Sequence, residues 1–578
     1  MALKKVREAV VDALIRERIG FVFGMPGGQS CEVLYDALYE KDDIKAILSR
    51  DERAGAFMAA GSSQVTRGPA VASGTLGPGF SNMLTGLCEA WLGSWPIIFI
   101  APGAPTMSSG RPAAQEIPQC EMVRSVTKFS FRLDNPSKTP YLMRRAISEA
   151  CSGKPGPVFI EIPTDMGGFD AEMPDYVPPP RIRNFEPSSD EVCKAAELIL
   201  KSERPVLIAG SGVHWSMAWN ELQEFVELLG IPVLTTSSGK GSISDNHPLA
   251  CGMMGQWGSR FSNELPEDAD AIIWMGSQIE EYDTVSWTRG APTNAKFIYA
   301  NIDPNHASDQ WIPDVALIGD SKLTLRKLIA VCKEKLRTMN RTDFSRMPRI
   351  ERLLQLKKEF LDLVRSDEMS DATPIHPARM IREIDRAMPK DCIVCSDAGM
   401  FAAWVVGYPG ITISKPGHFI YNGGGTAIGQ SVALGIGAQL STSEQVVSIV
   451  GDGGFQQYMM EMATAAQYHA PLVVFISNNQ SIAWIAHWQR EIHQERYVAT
   501  FFEPQVDFSK IAEAQKCRGI RIERPSELKT KVEEAFKAAK NGTPVVVDVL
   551  TDWSAKHHGP TDVMNVFKQG RYPLPGVR

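Results

Sequence analysis

One stretch of the sequence, residues 446–481, contains two apolar segments joined by a predicted helix. The first segment predicts a strand that ends at Asp452, and the second predicts a strand that ends at Asn479. Because two strands joined by one helix form a parallel βαβ unit, both side chains are expected at the same carboxyl-terminal edge of one sheet. In open α/β sheets, ligands bind at that edge. The stretch therefore predicts a ligand site around which the chain is organised.

The residue types at this edge indicate which ligand it would hold. Asp452 and Asn479 carry the hard oxygen atoms that Mg²⁺ prefers. Gly453 and Gly454, directly after the carboxylate, would let diphosphate oxygens approach the backbone at the start of a helix. Each piece alone is also ordinary turn or capping chemistry. The pair at its separation of 27 residues (479 − 452) is more specific and predicts a metal-diphosphate site.

The length and charge of the chain argue against several function classes. A chain of 578 residues is too long for one core and predicts about three to four domains. The net charge is −7, without a long basic run, so nucleic-acid binding is not expected. No uncharged apolar run reaches the roughly 18 residues of a membrane span, and the N-terminal segment lacks the features of a signal peptide. The sequence therefore predicts a soluble, cytoplasmic protein without a membrane partner.

The ten cysteines show no spacing typical of a disulfide framework. The one close pair, Cys392 and Cys395, lies in an apolar segment, where redox or zinc chemistry and simple packing are both conceivable. Packing is favoured because a free cysteine behaves as a small hydrophobe. We therefore expect neither disulfides nor a structural metal.

Helices and strands alternate along most of the chain, which is typical of α/β domains whose parallel sheets are covered on both faces. Three such domains are separated by a proline-rich segment and a charge-dense segment. The middle domain contains a Rossmann-like turn, Gly210-Ser-Gly212, which alone is weak evidence for a nucleotide site. The predicted boundaries are residues 1–172 for the first domain, 173–189 for a proline-rich linker, 190–345 for the Rossmann-like middle domain, 346–372 for a solvated helical linker, 373–553 for the third domain and 554–578 for a C-terminal tail.

Glu52 follows a predicted strand and opens a predicted helix, where a glutamate usually only complements the helix dipole. Its surroundings are more specific, with Gly24-Met-Pro-Gly-Gly28 before it and Gly74-Thr-Leu-Gly-Pro-Gly79 after it. Together with Asp452 and Asn479, these motifs resemble the thiamine-diphosphate (ThDP) enzyme superfamily, in its acetohydroxyacid synthase and pyruvate oxidase-like branch. The resemblance extends over essentially the whole chain. It identifies the first domain as pyrimidine-binding and the third as diphosphate-binding.

The resemblance implies how the cofactor would be held. Glu52 would hydrogen-bond the aminopyrimidine ring of ThDP, so that the cofactor's own imine removes the thiazolium proton. A buried glutamic acid with a raised pKa is suited to share its proton in this way. Mg²⁺ would be bound by Asp452, Asn479 and the carbonyl of Ser481. The other cofactor-binding residues on the family pattern are Pro26, Gly28, Gly399, Gly453, Gly454 and Ile428. Ile428 would be the apolar wedge that bends the cofactor, although an isoleucine would equally suit a core.

The resemblance also implies a reaction class and an assembly. A C–C bond next to a carbonyl would be made or broken through a Breslow enamine, as in acetolactate synthases. Glu52 and Asp452 lie on different domains, and enzymes of this branch join the two across a subunit interface. A homodimer is therefore the minimum expectation, and a homotetramer is common in the branch.

Substrate choice would depend on the side chains around the thiazolium carbon. Gln115 lies in Ala113-Ala-Gln-Glu-Ile117, which resembles the Gln-Glu loop of the synthases. Gln115 and His487 are therefore catalytic candidates beside Glu52. The candidates for the substrate pocket are Gln29, Leu76, Phe80, Gln115, Trp484, His487 and Trp488. An aromatic pocket of this kind is equally compatible with core packing.

Several positions depart from the synthase pattern. Trp484 and His487 stand where the synthases have a methionine and a glutamine. Gln278 stands where flavin-binding members have an arginine that contacts FAD, and a neutral amide cannot replace that charge. The middle domain is therefore left open between FAD, ADP and no ligand.

Other functions remain open at this stage. Asn-Asn-Gln-Ser481 together with His487 is similar to benzaldehyde lyase. The tail makes the chain similar to 2-hydroxyacyl-CoA lyases and oxalyl-CoA decarboxylases, in which it would act as a lid or bind acyl-CoA phosphates, with His557 or His558 as acid or base. A surface strap is the simpler interpretation of the tail. A non-catalytic regulatory subunit is the alternative from another class, and the substrate (2-oxo acid, 2-hydroxy ketone or acyl-CoA) does not follow from the sequence.

Overall fold

The computed structural model describes residues 2–39, 41–179, 185–338, 347–421 and 423–559. These residues form three successive six-stranded sheets, each with parallel strand pairs, and one two-stranded antiparallel ribbon. Helices pack on both faces of the sheets, so the predicted α/β class with three parallel-sheet domains is confirmed. Within these five ranges, no helix is long and apolar enough to cross a membrane.

The first domain is built on a parallel sheet preceded and followed by the strands of the ribbon. Its strands are β1 (Ala2–Lys5), β2 (Phe21–Gly24), β3 (Lys45–Leu48), β4 (Ala70–Ser73), β5 (Ile97–Gly103), β6 (Phe129–Arg132), β7 (Val158–Pro163) and β8 (Asp170–Met173). Its helices are α1 (Val6–Arg16), α2 (Gly28–Val33), α3 (Glu52–Thr66), α4 (Pro78–Leu92), α5 (Gln119–Val123), α6 (Thr139–Cys151) and α7 (Thr164–Gly167). The sheet has the order β3-β2-β4-β5-β7-β6, and β1 pairs with β8. Because Met173 and Tyr176 belong to the same buried core, this core continues past the predicted boundary at residue 172.

The middle domain has the strand order of a doubly wound sheet, β11-β10-β9-β12-β13-β14. Its strands are β9 (Pro205–Ala209), β10 (Val233–Thr235), β11 (Ala250–Met253), β12 (Ala271–Met275), β13 (Lys296–Asn301) and β14 (Val315–Ile318). The helices are α8 (Ser189–Lys201), α9 (Ser211–Trp215), α10 (Trp219–Leu229), α11 (Arg260–Glu264), α12 (Glu281–Thr284), α13 (Ser321–Thr338) and α14 (Met347–Glu368). The charge-dense segment is less solvated than predicted, because Leu353, Phe360 and Val364 of α14 are buried.

The third domain contains the βαβ unit on which the sequence analysis depends. Its strands are β15 (Ile393–Ser396), β16 (Phe419–Ile420), β17 (Val446–Gly451), β18 (Val473–Asn478), β19 (Arg518–Ile522) and β20 (Val545–Leu550), in the order β16-β15-β17-β18-β20-β19. The helices are α15 (Pro377–Ala387), α16 (Ala402–Val406), α17 (Gln430–Leu440), α18 (Asp452–Tyr458), α19 (Met462–Gln467), α20 (Ala483–Ile492), α21 (Phe508–Ala514) and α22 (Pro525–Lys540). Strands β17 and β18 pair in parallel, with Gly451 opposite Ser477. Their connection is two short helices, α18 and α19, instead of the one predicted helix.

The first and third domains are joined by helices α3 and α17, which cross at glycines. A Cβ atom on Gly61 of α3 would lie 2.0 Å from the carbonyl oxygen of Leu434, and one on Gly437 of α17 would lie 1.9 Å from that of Met58. Backbone meets backbone at both points, so any larger residue would push the helices apart. This contact brings the Glu52 helix and the Asp452 domain together within one chain.

Candidate active site

Asp452 is the first residue of α18 and lies at the carboxyl end of β17, as the sequence predicts. Its side chain is buried, and its carboxylate accepts a hydrogen bond of 2.9 Å from the N–H of Gly453. The backbone N–H groups of Asn479, Gln480 and Ser481 also stabilise its charged form. Burial outweighs these bonds and raises the pKa of Asp452 to about 7. A buried carboxylate whose described partners are backbone amides is suited to bind a divalent cation.

Asn479 and Ser481 lie in the tight turn after β18. The Asn479 Oδ1 atom accepts hydrogen bonds from the backbone N–H of Ser481 at 3.1 Å and from its hydroxyl at 2.9 Å. Gln480 between them has a positive φ of 57°, and its carbonyl accepts a hydrogen bond of 2.8 Å from the N–H of Phe502. These bonds hold the turn next to Asp452.

The neighbouring Asn478 has a different role. Its amide donates hydrogen bonds to Asp548 at 2.8 Å and to the carbonyl of Val506 at 3.2 Å. It therefore links β18 to its surroundings, while Asn479 is the asparagine that faces the ligand edge.

A cavity of about 350 Å³ lies at this edge. Most of the site residues predicted for the third domain line it. The predicted residues that line it are Gly399, Ile428, Asp452, Gly453, Gly454, Asn479, Ser481 and Trp484. The carboxylate, amide and carbonyl oxygens are hard ligands, and the glycines leave backbone accessible to a diphosphate. The residues present therefore fit the diphosphate of ThDP with Mg²⁺.

Two buried carboxylates that the sequence analysis missed hold the loop that carries Ile428. Glu89 of α4 is 3% exposed, and its carboxylate accepts a hydrogen bond of 2.7 Å from the N–H of Ala427. Asp397, which is fully buried, accepts a hydrogen bond from the N–H of Gly429. Burial raises the pKa of both, that of Asp397 to about 8. Both residues therefore position a cavity wall without lining the cavity.

Glu52 opens α3, and Asp51 caps the helix by accepting a hydrogen bond of 2.7 Å from the N–H of Arg53. The Glu52 side chain is 6% exposed, and its Oε2 atom accepts a hydrogen bond of 3.0 Å from the amide of Asn82. A Cβ atom on Gly79 would lie 2.8 Å from Oε1, so the glycine of this turn makes room for the carboxylate. Asn82, which the sequence analysis missed, orients Glu52.

The other candidates of the first domain surround the same glycine turn. The Gln29 amide donates a hydrogen bond of 3.2 Å to Gln115 and accepts one of 3.2 Å from the hydroxyl of Thr75. Pro26 and Gly28 are exposed. Leu76 and Phe80 are buried, and the Phe80 ring packs 5.0 Å from that of Phe159 in the domain core.

The first-domain candidates do not line the Asp452 cavity of their own chain. Among the described residues, those that line the Asp452 cavity come from the middle and third domains and not from the first. Glu52, Gln29 and Gln115 thus lie outside the cavity of their own chain. The shared-interface assembly stays a prediction that this separation favours.

His487 lies in α20, but its ring does not line the cavity. Its Nε2 atom lies 2.7 Å from the carbonyl oxygen of Trp553, and its Nδ1 atom accepts a hydrogen bond of 2.9 Å from Arg490. Burial lowers the pKa of His487. Both ring nitrogens therefore have partners, and Nε2 joins α20 to the turn after β20, which favours a structural role over the predicted catalytic one.

Tryptophans make up one side of the cavity. The Trp484 ring lies 4.7 Å from that of Trp257, a middle-domain residue that the sequence analysis missed, at an angle of 67°. Trp488 packs behind it, with ring centroids 6.3 Å apart, and does not line the cavity. Gln256 and Tyr282 of the middle domain also line the cavity.

The alternatives of FAD, ADP or no ligand concern a separate crevice of the middle domain. Gln278 lines a cavity of about 60 Å³ at the carboxyl edge of that sheet. In the glycine turn, the N–H of Gly210 donates to Met275 at 2.8 Å and that of Gly212 to Gly276 at 2.9 Å. FAD and ADP stay predicted alternatives for this crevice.

The predicted tail is described only as far as residue 559, so residues 560–578 and the lid or CoA role assigned to them lie outside the described residues. The His557 ring packs 5.6 Å from that of Trp404, and His558 lies 3.1 Å from Asp367. Neither histidine lines the Asp452 cavity. Cys392 and Cys395 are both buried in the third domain.

Comparisons with known proteins agree with this arrangement. Residues 4–122 match the N-terminal TPP binding domain, residues 192–328 the central domain and residues 397–549 the C-terminal TPP binding domain of thiamine pyrophosphate enzymes. Thiamine pyrophosphate is another name for ThDP.

Similar proteins include large subunits of acetolactate synthase. A probable acetolactate synthase large subunit of Methanococcus aeolicus is 32% identical over 565 residues, which cover 95% of this chain and 92% of that protein. The acetolactate synthase isozyme 3 large subunit of Escherichia coli (strain K12) is 30% identical over 559 residues, covering 95% of each chain. The chain therefore belongs to the ThDP-dependent enzyme superfamily, in its acetohydroxyacid synthase and pyruvate oxidase-like branch.

Proposed function

We propose that this protein is an acetolactate-synthase-like carboligase that uses ThDP and Mg²⁺ to make or break a C–C bond next to a carbonyl group. The single observation that carries the proposal is the buried edge where Asp452, Asn479 and Ser481 share one cavity with Ile428. The full-length similarity to acetolactate synthase large subunits supports this reaction class.

The third-domain residues of the site would bind the cofactor's diphosphate, and Glu52 of the first domain would act on its pyrimidine ring. Asp452, Asn479 and the Ser481 carbonyl would hold Mg²⁺ and, through it, the diphosphate. When bound, ThDP supplies the carbon nucleophile that adds to a substrate carbonyl and accepts the electron pair of the cleaved C–C bond. Glu52, oriented by Asn82, would hold the proton at the pyrimidine ring.

The position of Glu52 supports an assembly of at least two copies. Glu52 lies outside the Asp452 cavity of its own chain. The first domain of a second copy would therefore have to supply Glu52 to that cavity. A homodimer is therefore the smallest active unit, and the substrate is a small carbonyl compound.

Substitution Glu52→Gln tests the proposal. The amide keeps the shape of the side chain but cannot exchange a proton, so we expect turnover to fall by at least about 100-fold while ThDP affinity changes little. Turnover is measured as carbonyl product formed, and ThDP binding by circular dichroism titration. The control is Glu149→Gln, because Glu149 is partly exposed and its described ion pair is with Arg145 of the same helix. Unchanged turnover in Glu52→Gln would refute the role of Glu52, and a failure of the native protein to take up ThDP would favour a regulatory subunit.

A further inference from the structure

We propose that the acceptor substrate, the carbonyl compound to which the donor is joined, is uncharged and apolar. The proposal rests on the carboligase function proposed above and specifies its substrate class. The product would then be a neutral 2-hydroxy ketone, whereas joining two 2-oxo acids gives a product that retains one carboxylate.

The charges that line the cavity carry the inference. Among the described residues at its walls, Asp452 is the one charged side chain, and lysine, arginine and histidine are absent. Asp452 is itself assigned to the metal. A carboxylate on the acceptor would therefore find no cationic side chain of this half to pair with, and burying an unpaired carboxylate is unfavourable.

The other side chains at the walls are mostly aromatic or aliphatic. Trp257 and Phe401 are 7% and 5% exposed, and Trp484 packs edge-on against Trp257. Tyr282 and Ile485, exposed by 37% and 38%, line the cavity at more open positions. These five side chains suit an aromatic or branched aliphatic group.

The one lysine or arginine of the Trp484 helix is turned away from this wall. Arg490 lies in the same helix as Trp484, but it donates hydrogen bonds to His487 at 2.9 Å and to the carbonyl of Ser554 at 3.3 Å. Its guanidinium group also lies 5.7 Å from the ring centre of Trp553. These contacts hold Arg490 between α20 and the segment after β20, and Arg490 does not line the cavity.

The first-domain candidates, which a second copy would bring to the cavity in the proposed assembly, are amides and apolar groups. Gln29 and Gln115 bond to each other, and Leu76 and Phe80 are apolar. The nearest cation in that loop, Arg111, is exposed and lies four residues before Gln115 (115 − 111). Arg111 is therefore the cation whose pairing with an acceptor carboxylate the experiment has to test.

Donor and acceptor are treated differently by such a site. In the reaction R–CO–COO⁻ + R′–CHO + H⁺ → R–CO–CH(OH)–R′ + CO₂, the donor's C–COO⁻ bond breaks, its electron pair forms the new C–C bond, and the acceptor oxygen takes up the proton. The donor's carboxylate leaves as neutral CO₂, so apolar walls do not oppose its loss. A carboxylate on the acceptor would persist into the product and would stay unpaired.

A competition experiment on the ThDP- and Mg²⁺-loaded protein tests the proposal. The donors are pyruvate, 2-oxobutanoate and phenylglyoxylate, each offered an equimolar mixture of a charged acceptor (a second 2-oxo acid) and neutral acceptors (benzaldehyde and 2-methylpropanal). We expect neutral hydroxy ketones to exceed hydroxy-oxo acids by at least tenfold, as measured by mass spectrometry. An excess of the acid product overturns the proposal. A lack of both CO₂ and coupled product with every donor overturns the carboligase function itself, and the acceptor proposal with it.

Two variants sharpen the result. Tyr282→Arg places a cation at an exposed wall position, so its share of acid product should rise at least tenfold over that of the matched neutral control Tyr282→Gln. An equal share in the two variants contradicts the proposal that a missing cation sets the preference. Arg111→Gln should leave the native product ratio unchanged, and a further shift toward neutral product in that variant would show that Arg111 already recognises an acceptor carboxylate.

Discussion

Glu89 of the first domain and Asp397 of the third hold the backbone on either side of Ile428. Glu89 bonds the N–H of Ala427, directly before Ile428, and Asp397 bonds the N–H of Gly429, directly after it. The N–H groups of Gly423 and Gly425 also stabilise the Glu89 carboxylate. The position of the Ile428 wall is thus determined by two carboxylates from different domains.

Loss of the Glu89 charge should weaken ThDP binding. Hydrogen bonds to a charged group contribute about 1.5–3 kcal/mol, so we expect Glu89→Gln to raise the Kd for ThDP by about tenfold or more as the loop loosens. The Kd is measured by fluorescence titration at saturating Mg²⁺. Glu172→Gln, at an exposed strand position, is the control. Equal Kd values for Glu89→Gln and the native protein would show that the loop keeps its shape without the carboxylate.

The glycine crossing of α3 and α17 should tolerate no side chain. In Gly437→Ala, the new methyl group would lie 1.9 Å from the Met58 carbonyl oxygen, and overpacking of this kind costs about 1–3 kcal/mol. We expect Tm to fall by several degrees, as measured by calorimetry. Gly20→Ala is a matched control, because a Cβ atom there has no neighbour within 4 Å. Equal Tm values in the two variants would contradict this packing argument.

His487 should prove structural instead of catalytic. Glutamine can also donate to the Trp553 carbonyl and accept from Arg490, so His487→Gln should retain kcat within about threefold. His487→Ala leaves the buried carbonyl without its donor, at a cost of about 1–3 kcal/mol, and should lower Tm. Steady-state kinetics and differential scanning fluorimetry distinguish the two effects. A loss of kcat of about 100-fold or more in His487→Gln would restore the catalytic interpretation.

His214 should make the middle domain sensitive to acid. Its Nδ1 atom accepts a hydrogen bond of 3.0 Å from the Trp219 indole, and its Nε2 atom lies 3.1 Å from the Lys240 carbonyl oxygen. Protonation would replace the Nδ1 acceptor with a donor. Burial, assisted by the charge of Arg67, lowers the pKa of His214 to about 3.

The sign of the pH effect follows from this lowered pKa. The unfolded chain binds the proton first as the pH falls, so the contribution of His214 is complete above about pH 6.5 and is lost as the pH falls toward about 3. We expect the Tm advantage of the native protein over His214→Gln to shrink between pH 7 and pH 5. The exposed His469, changed to Gln, is the control. An advantage that stays constant over this range would show that His214 does not titrate on unfolding.

Local patterns in the sequence were sufficient for the fold class and for the position of Asp452 and Asn479 at one edge of the sheet. Parallel βαβ units follow from alternating apolar segments, and the carboxyl edge of such a unit places Asp452 beside Asn479 regardless of the rest of the chain. Element details were less accurate, because the one helix predicted between β17 and β18 is divided into α18 and α19. Gly453 and Gly454, next to Asp452, line the same cavity for the same local reason.

Only the tertiary structure decided which side chains surround and support that edge. Glu89 and Ala427 are 338 residues apart, and Trp257 lines the cavity from another domain. No local spacing in the sequence could therefore predict either contact. The orientation of His487 depends on a carbonyl 66 residues later. The sequence alone determined which polar side chains and glycines lie at the edge, because their position depends only on neighbouring strands of one sheet. The walls that select a substrate come from the packing of separate domains, and only the folded chain determines which of their side chains meet.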